Sequence, residues 1–163
     1  MVALKEFPSL NATLDEKTNS IVIKKYYNIG IASDTDQGLI VPVIKGADGK
    51  TIFELAEEIE QHTQKARTGR LDLEEVQGST FTITNLGGVG GLFATPIINY
   101  PEVAILGTHK IMKRPVARDG KVKVGDMMYI SLTFDHRVVD GAYAARFTNR
   151  LVEILQKPGT MMQ

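Results

Sequence analysis

Residues 128–134 alternate strictly, with Ile130, Leu132 and Phe134 set against Tyr129, Ser131 and Thr133. That period of two describes a strand with one buried face. A short turn at 135–141 follows. From residue 142 to 157 the spacing changes, and Ala144, Phe147, Leu151, Ile154 and Leu155 recur as on one side of a helix, before Pro158-Gly159 stops it. A half-buried strand leading at once into an amphipathic helix requires a helix layer packed on a sheet. This segment therefore calls for a helix packed on a sheet.

The remaining segments fit that frame. Residues 1–6 are good helix formers ended by Pro8, and residues 11–19 read as polar and turn-rich. Residues 21–27 and 29–32 read as strands. Asp34-Thr35-Asp36-Gln37-Gly38 reads as a turn leading into Leu39-Ile40-Val41-Pro42-Val43-Ile44, which is apolar on both faces. A buried strand is expected there, with Pro42 at a bulge or an unpaired position. Thr51 and Glu54 form a capping box that opens a helix with Ile52, Leu55, Ala56 and Ile59 on one stripe, closed near Gly69. Strands at 81–84 and 103–106 bracket a glycine-rich loop. Asp119-Gly120 is a hairpin turn between 115–118 and 121–124. Strands outnumber helices, and the reading is α/β with a mixed sheet and flanking helices, in one domain over 1–163.

Composition removes several classes of function. Nineteen basic and 19 acidic residues cancel, so the chain lacks the one-signed field of a nucleic-acid or acidic-lipid binder. No apolar run approaches the roughly 18 residues of a membrane span. There is no cysteine, hence no disulfide framework and no thiolate metal site. Any thiol that a reaction here needs would come from a substrate.

The sequence has three histidines. His62 lies mid-helix among Glu60, Gln61, Thr63 and Gln64 and reads as a solvated surface residue; His109, beside Lys110 after a buried strand, reads as a rim residue. His136 closes an apolar strand within Asp135-His136-Arg137-Val138-Val139-Asp140-Gly141. A histidine at a strand end can present its ring to a cleft as a base near neutral pH. The residues alone leave open both that role and a structural one. The loop with Gly87, Gly88, Gly90 and Gly91 suggests a phosphate loop only weakly, since no helical pattern and no Lys-Ser/Thr follow it. A loop whose backbone closes around a narrow channel fits it better.

His-x-x-x-Asp-Gly after an apolar strand resembles the signature of the chloramphenicol acetyltransferase-like fold, shared with the dihydrolipoamide acyltransferases. Further strings resemble the latter group: Leu4-Lys5-Glu6-Phe7-Pro8-Ser9-Leu10-Asn11-Ala12, Asn28-Ile29-Gly30-Ile31-Ala32, Gly38-Leu39-Ile40-Val41-Pro42-Val43, Phe81-Thr82-Ile83-Thr84-Asn85-Leu86-Gly87, Thr95-Pro96-Ile97-Ile98-Asn99 and Pro101-Glu102-Val103-Ala104-Ile105-Leu106-Gly107. They occur in order across essentially the whole chain.

The resemblance implies an acyltransferase moving an acyl group between dihydrolipoamide and coenzyme A at the core of a 2-oxoacid dehydrogenase complex. It implies His136 as general base, the hydroxyl of Thr84 as oxyanion donor and Asp140 as organiser of the turn. Asp34, otherwise a good turn residue, and Asn85 would lie on the coenzyme A side of a channel. No metal is implied, and the lipoyl group would be carried on a domain outside this sequence. The partners implied are further copies in a homotrimer or a shell of trimers, with the oxoacid dehydrogenase and dihydrolipoamide dehydrogenase components. The location expected is the cytoplasm, with the mitochondrial matrix as the alternative. The family's catalytic domain is expected to have several tens of residues before Leu4, along with lipoyl and subunit-binding domains. The stretch 95–107 looks closer to acetyl and branched-chain enzymes than to succinyl ones. A non-catalytic scaffold and a free-standing antibiotic acetyltransferase are the competing readings.

Overall fold

The structure is a computed structural model, and it describes residues 1–90 and 92–161. The chain opens with α1 (Val2–Glu6), then β1 (Ala12–Asp15), β2 (Ser20–Ile23), β3 (Ile29–Thr35), β4 (Gly38–Ile40) and β5 (Val43–Ile44). After α2 (Ile52–Arg67) come β6 (Phe81–Asn85), β7 (Ala104–Thr108), β8 (Met112–Arg118), β9 (Lys121–Met127), β10 (Ile130–Phe134) and α3 (Gly141–Gln156).

The central sheet runs β10-β7-β6-β3-β4, with β5 also paired to β3. β3, β6 and β7 are parallel neighbours, while β10, β4 and β5 run antiparallel to theirs. The sheet is therefore mixed, as the patterns predict. β4 and β5 continue one register along β3, and Pro42 sits at the break between them. Its carbonyl accepts from the Ile31 amide at 2.9 Å, but it has no amide of its own to donate. Pro42 thus takes the unpaired position, and no bulge forms. The expected buried run holds for Val43 and Ile44, whereas Leu39 is exposed because β4 lies at the sheet edge.

Alternation divides the sheet into two faces. Ile29, Ile31, Phe81, Ile83, Ala104, Leu106, Leu132 and Phe134 point into the core, where the helices cover them. Phe147 of α3 packs edge-on against Phe81, with ring centroids 6.2 Å apart, and against Phe7 at 5.7 Å. Arg150 reaches back from α3 to grip both carboxylate oxygens of Glu6 at 2.8 and 3.0 Å. The opposite face is mostly small and polar, with Gly30, Ala32, Thr82, Thr84, Gly107, Ser131 and Thr133, and the buried Ile105 is its large apolar member.

Local rules place the helices well. The Thr51–Glu54 capping box is formed, and Gly69 leaves α2 at φ +66°. Leu55 and Ile59 pack on the core, but Ile52 and Ala56 are exposed, so the buried stripe is narrower than expected. Asp119 and Gly120, both at positive φ, turn β8 into β9. Residues 11–19 differ from expectation: β1 pairs with β2 in a hairpin of its own, and β2 ends at Ile23. Asn11, fully buried, anchors that hairpin by donating to the carbonyls of Lys24 and Tyr26.

Candidate active site

His136 sits in the turn between β10 and α3, and both sides of the turn are braced. The Asp135 amide donates to the Val103 carbonyl at 2.8 Å, and the Asp135 carbonyl accepts from the amides of Val138 and Val139 at 3.0 Å. Arg137 grips Asp135 through Nη2–Oδ2 at 2.7 Å and Nε–Oδ1 at 3.0 Å, and extends to Glu16 at 3.1 Å. The Arg137 guanidinium holds the Asp135 carboxyl below the usual carboxylate range. On the far side, Asp140 is the N-cap of α3 and accepts from the Tyr143 amide at 2.6 Å. Between these anchors the His136 ring is exposed. It rests beside Phe134 at 5.7 Å between centroids, and neither ring nitrogen has a hydrogen-bond partner among the described residues.

Thr84 stands near the carboxyl end of β6, level with Ala32 on β3 and Gly107 on β7. Other hydroxyls nearby are occupied. Thr80 bonds with Asn28, and Thr82 donates to Glu102 at 2.7 Å. The Thr84 hydroxyl, half-buried, has no partner among the described residues. Asn85 follows it and accepts the Gly87 amide at 2.9 Å, which curls the glycine loop back on itself. Asp34 lies two residues beyond Ala32 on the same face as Thr84. It is an exposed member of β3 opposite Leu39, not a turn residue, because the turn comes later, at Asp36 and Gln37.

Asp34, Thr84 and Asn85 are thus brought together at the carboxyl ends of the parallel strands. His136 and Asp140 are not with them. Thr84 is level with Gly107, which is level with Ser131, whereas β10 runs the other way and pairs Phe134 with Ala104. From Ser131 to Phe134 the strand advances about 10 Å before the turn bearing His136 begins. Within one chain the two groups sit at opposite ends of the sheet.

Two histidines differ from expectation. His62 is half-buried rather than solvated, with Nδ1 2.9 Å from the Glu58 carbonyl and Nε2 3.6 Å from Glu75. His109 is 3% exposed, with Nε2 3.0 Å from Ser131 Oγ. Gly107 lacks a side chain beside it, and the imidazole folds inward there. Sequence reasoning also missed Glu102, a buried carboxylate. Its Oε1 accepts from Thr82 at 2.7 Å and from Asn99 at 3.1 Å, while Oε2 has no partner among the described residues. Desolvation raises its pKa above the usual 4.5 despite those hydrogen bonds. Its only local signal was a charge placed directly before an apolar run.

No helix follows the glycine loop within the described residues between 86 and 103, so the phosphate-loop geometry is missing there; Gly91 lies outside the described residues. Among the described residues no cluster of three metal-ligating side chains occurs, and no helix is long and apolar enough to cross a membrane.

The family model for the 2-oxoacid dehydrogenases acyltransferase catalytic domain matches residues 1–163. The chain belongs to this family. A relative from Staphylococcus epidermidis, the dihydrolipoyllysine-residue acetyltransferase component of the pyruvate dehydrogenase complex, is 46% identical over 160 residues. That alignment covers 98% of this chain and 37% of the relative, so the chain spans little more than a third of the relative's length. The Azotobacter vinelandii dihydrolipoamide acetyltransferase superposes with a TM-score of 0.94 at 45% identity, covering 98% of this chain and 66% of that one. In that enzyme a serine, a histidine and an asparagine have been investigated for their roles in the catalytic mechanism. A structure of the cubic core of the pyruvate dehydrogenase multienzyme complex matches with the same score, identity and coverage. Chloramphenicol acetyltransferase, 14% identical with a TM-score of 0.55, shares the fold. That distant likeness gives the antibiotic-acetyltransferase reading no support beyond the fold.

Proposed function

We propose that this chain is the catalytic domain, over 1–163, that moves an acetyl group between a dihydrolipoyl arm and coenzyme A in the core of a 2-oxoacid dehydrogenase complex. The observation that carries the reading is the contrast in hydrogen bonding. The Thr84 hydroxyl and the His136 imidazole have no partner among the described residues, while the hydroxyls beside Thr84 and the charges beside His136 are tied. The serine, histidine and asparagine studied in the Azotobacter enzyme are spaced along its chain as Thr84, His136 and Asp140 are here. The acetyl preference rests on relatives that are acetyltransferases of pyruvate dehydrogenase complexes.

His136 takes the proton from the coenzyme A thiol, which at a pKa near 8.5 is otherwise only a few per cent thiolate at neutral pH. The thiolate sulfur attacks the acetyl-dihydrolipoyl thioester carbonyl. The Thr84 hydroxyl donates to the oxyanion of the tetrahedral intermediate. Collapse breaks the bond to the dihydrolipoyl sulfur, and protonated His136 returns its proton to that leaving thiolate. Asp34 and Asn85 belong to the coenzyme A side, and Asp140 holds the turn.

Because Thr84 and His136 lie at opposite ends of one sheet, a working site takes them from two subunits. A ring of three, each lending His136 to its neighbour's Thr84, meets that need with one repeated contact. The similarity to a cubic-core chain supports a larger shell of such trimers. The dehydrogenase and dihydrolipoamide dehydrogenase components engage through domains outside this sequence. The compartment is one that holds coenzyme A, the cytoplasm or the mitochondrial matrix. The test compares acetyl-, isobutyryl- and succinyl-coenzyme A as donors to dihydrolipoamide. Acetyl transfer should be fastest, and a preference for succinyl would overturn the acetyl assignment.

A further inference from the structure

Across the open face of the sheet, one row runs Ala32, Thr84, Gly107, Ser131, set by the register of four neighbouring strands. The space above Gly107 is taken. A Cβ there would lie 2.6 Å from Ser131 Oγ and 3.3 Å from His109 Nε2. The Ser131 hydroxyl therefore leans over the glycine, toward Thr84, instead of standing above its own strand.

What holds it there is His109, whose Nε2 is 3.0 Å from Ser131 Oγ. A nearly fully buried imidazole is an expensive way to satisfy one serine, which could as easily face water. The contact spans two strands and ends one position from the free hydroxyl of Thr84.

We propose that Ser131 is a second hydroxyl of the acyl-transfer site, donating beside Thr84 to the thioester carbonyl oxygen, and that His109 is its positioning residue. The proposal rests on the transfer reading above. With the proton on Nε2, His109 donates to Ser131 Oγ and leaves the serine proton free to point outward. Negative charge developing on the thioester oxygen then meets two preorganised donors. No bond forms to Ser131, and no proton leaves His109.

The experiment measures acetyl transfer from acetyl-coenzyme A to dihydrolipoamide in the assembled protein, for wild type, Ser131→Ala, His109→Phe and the double variant. Ser131→Ala removes one ordinary hydrogen bond while the Thr84 donor stays in place, so its kcat should fall about tenfold. KM for either substrate should change by less than about twofold, as expected when the interaction matters only in the transition state. The double variant should fall no further than the worse single one, because the two residues act as a unit. A kcat of Ser131→Ala within about twofold of wild type overturns the proposal, as does failure of that variant to fold, which would assign the hydroxyl to packing. Losses that multiply in the double variant overturn the role of His109. A wild type without transfer activity overturns the reading beneath the proposal, and the proposal with it; an active wild type with an unaffected Ser131→Ala overturns the proposal alone.

Discussion

Asp140 Oδ1 accepts the Tyr143 amide at 2.6 Å, so the acid of the His-x-x-x-Asp-Gly motif is engaged in starting α3. A carboxylate used this way fixes where the helix begins, and with it the turn that presents His136. Asp140→Ala should cost about 1 kcal/mol of stability by removing the cap, while Asp140→Asn keeps most of it. Denaturant unfolding of both variants checks this. Activity should follow the same order, since both effects pass through the turn.

Thr84 is assigned through its hydroxyl and not through its β-branched shape. Thr84→Ser should retain most transfer activity. Thr84→Val, equal in shape, should lose roughly 10² to 10³ in kcat, as when other oxyanion donors are removed. Turnover of the two variants decides, and an active valine variant returns Thr84 to an ordinary strand position.

Burial raises the pKa of Glu102 in the folded chain above its usual 4.5. A raised carboxyl stabilises the fold fully below that usual value, and the contribution is lost as pH rises through the folded pKa. Glu102→Gln carries no such proton. Its stability relative to wild type should therefore increase as pH climbs from about 4.5, measured as the difference between unfolding free energies in a pH series. A difference that stays flat with pH contradicts the burial argument.

Gly30 lies where the sheet meets the Glu102 cluster, and a Cβ there would sit 2.6 Å from Thr82 Oγ1 and 2.8 Å from Val41 Cγ1. Thr82 is fully buried and held by Glu102, so it cannot swing aside. Gly30→Ala should destabilise by about 1 to 3 kcal/mol through overpacking. Chemical denaturation provides the check.

Periodicity and capping made α2, α3, β10 and the Asp119-Gly120 hairpin legible, because each depends on residues within a few positions of one another. β1 escaped because its alternation, Ala12 and Leu14 against Thr13 and Asp15, lasts only four residues inside a polar, turn-rich stretch, and its pairing with β2 arises from the turn between them. The break at Pro42 was foreseen in kind, but the exposure of Leu39 depends on β4 having no further strand beside it among the described residues. His109 and Glu102 were unreadable for a different reason. Each is buried by a segment about 20 residues away, Ser131 for one and Thr82 for the other, so their burial follows from strand order. The turn that presents His136 was readable from its residues, and its role as a base came from the resemblance of the His-x-x-x-Asp-Gly string. The separation of His136 from Thr84 was not readable, because only the antiparallel course of β10 puts them at opposite ends.

That separation makes the central claim, one acyl-transfer site built from two subunits, open to a direct test. His136→Ala and Thr84→Val proteins should each be folded and nearly inactive, the former down roughly 10² to 10⁴. The two are then mixed one to one under conditions that let subunits exchange, and acetyl transfer is measured before and after. If each site takes His136 from one subunit of a ring of three and Thr84 from the next, random mixing restores about a quarter of all sites. Recovery toward a quarter of wild-type activity is the predicted result. No recovery, with subunit exchange demonstrated independently, would contradict the shared site.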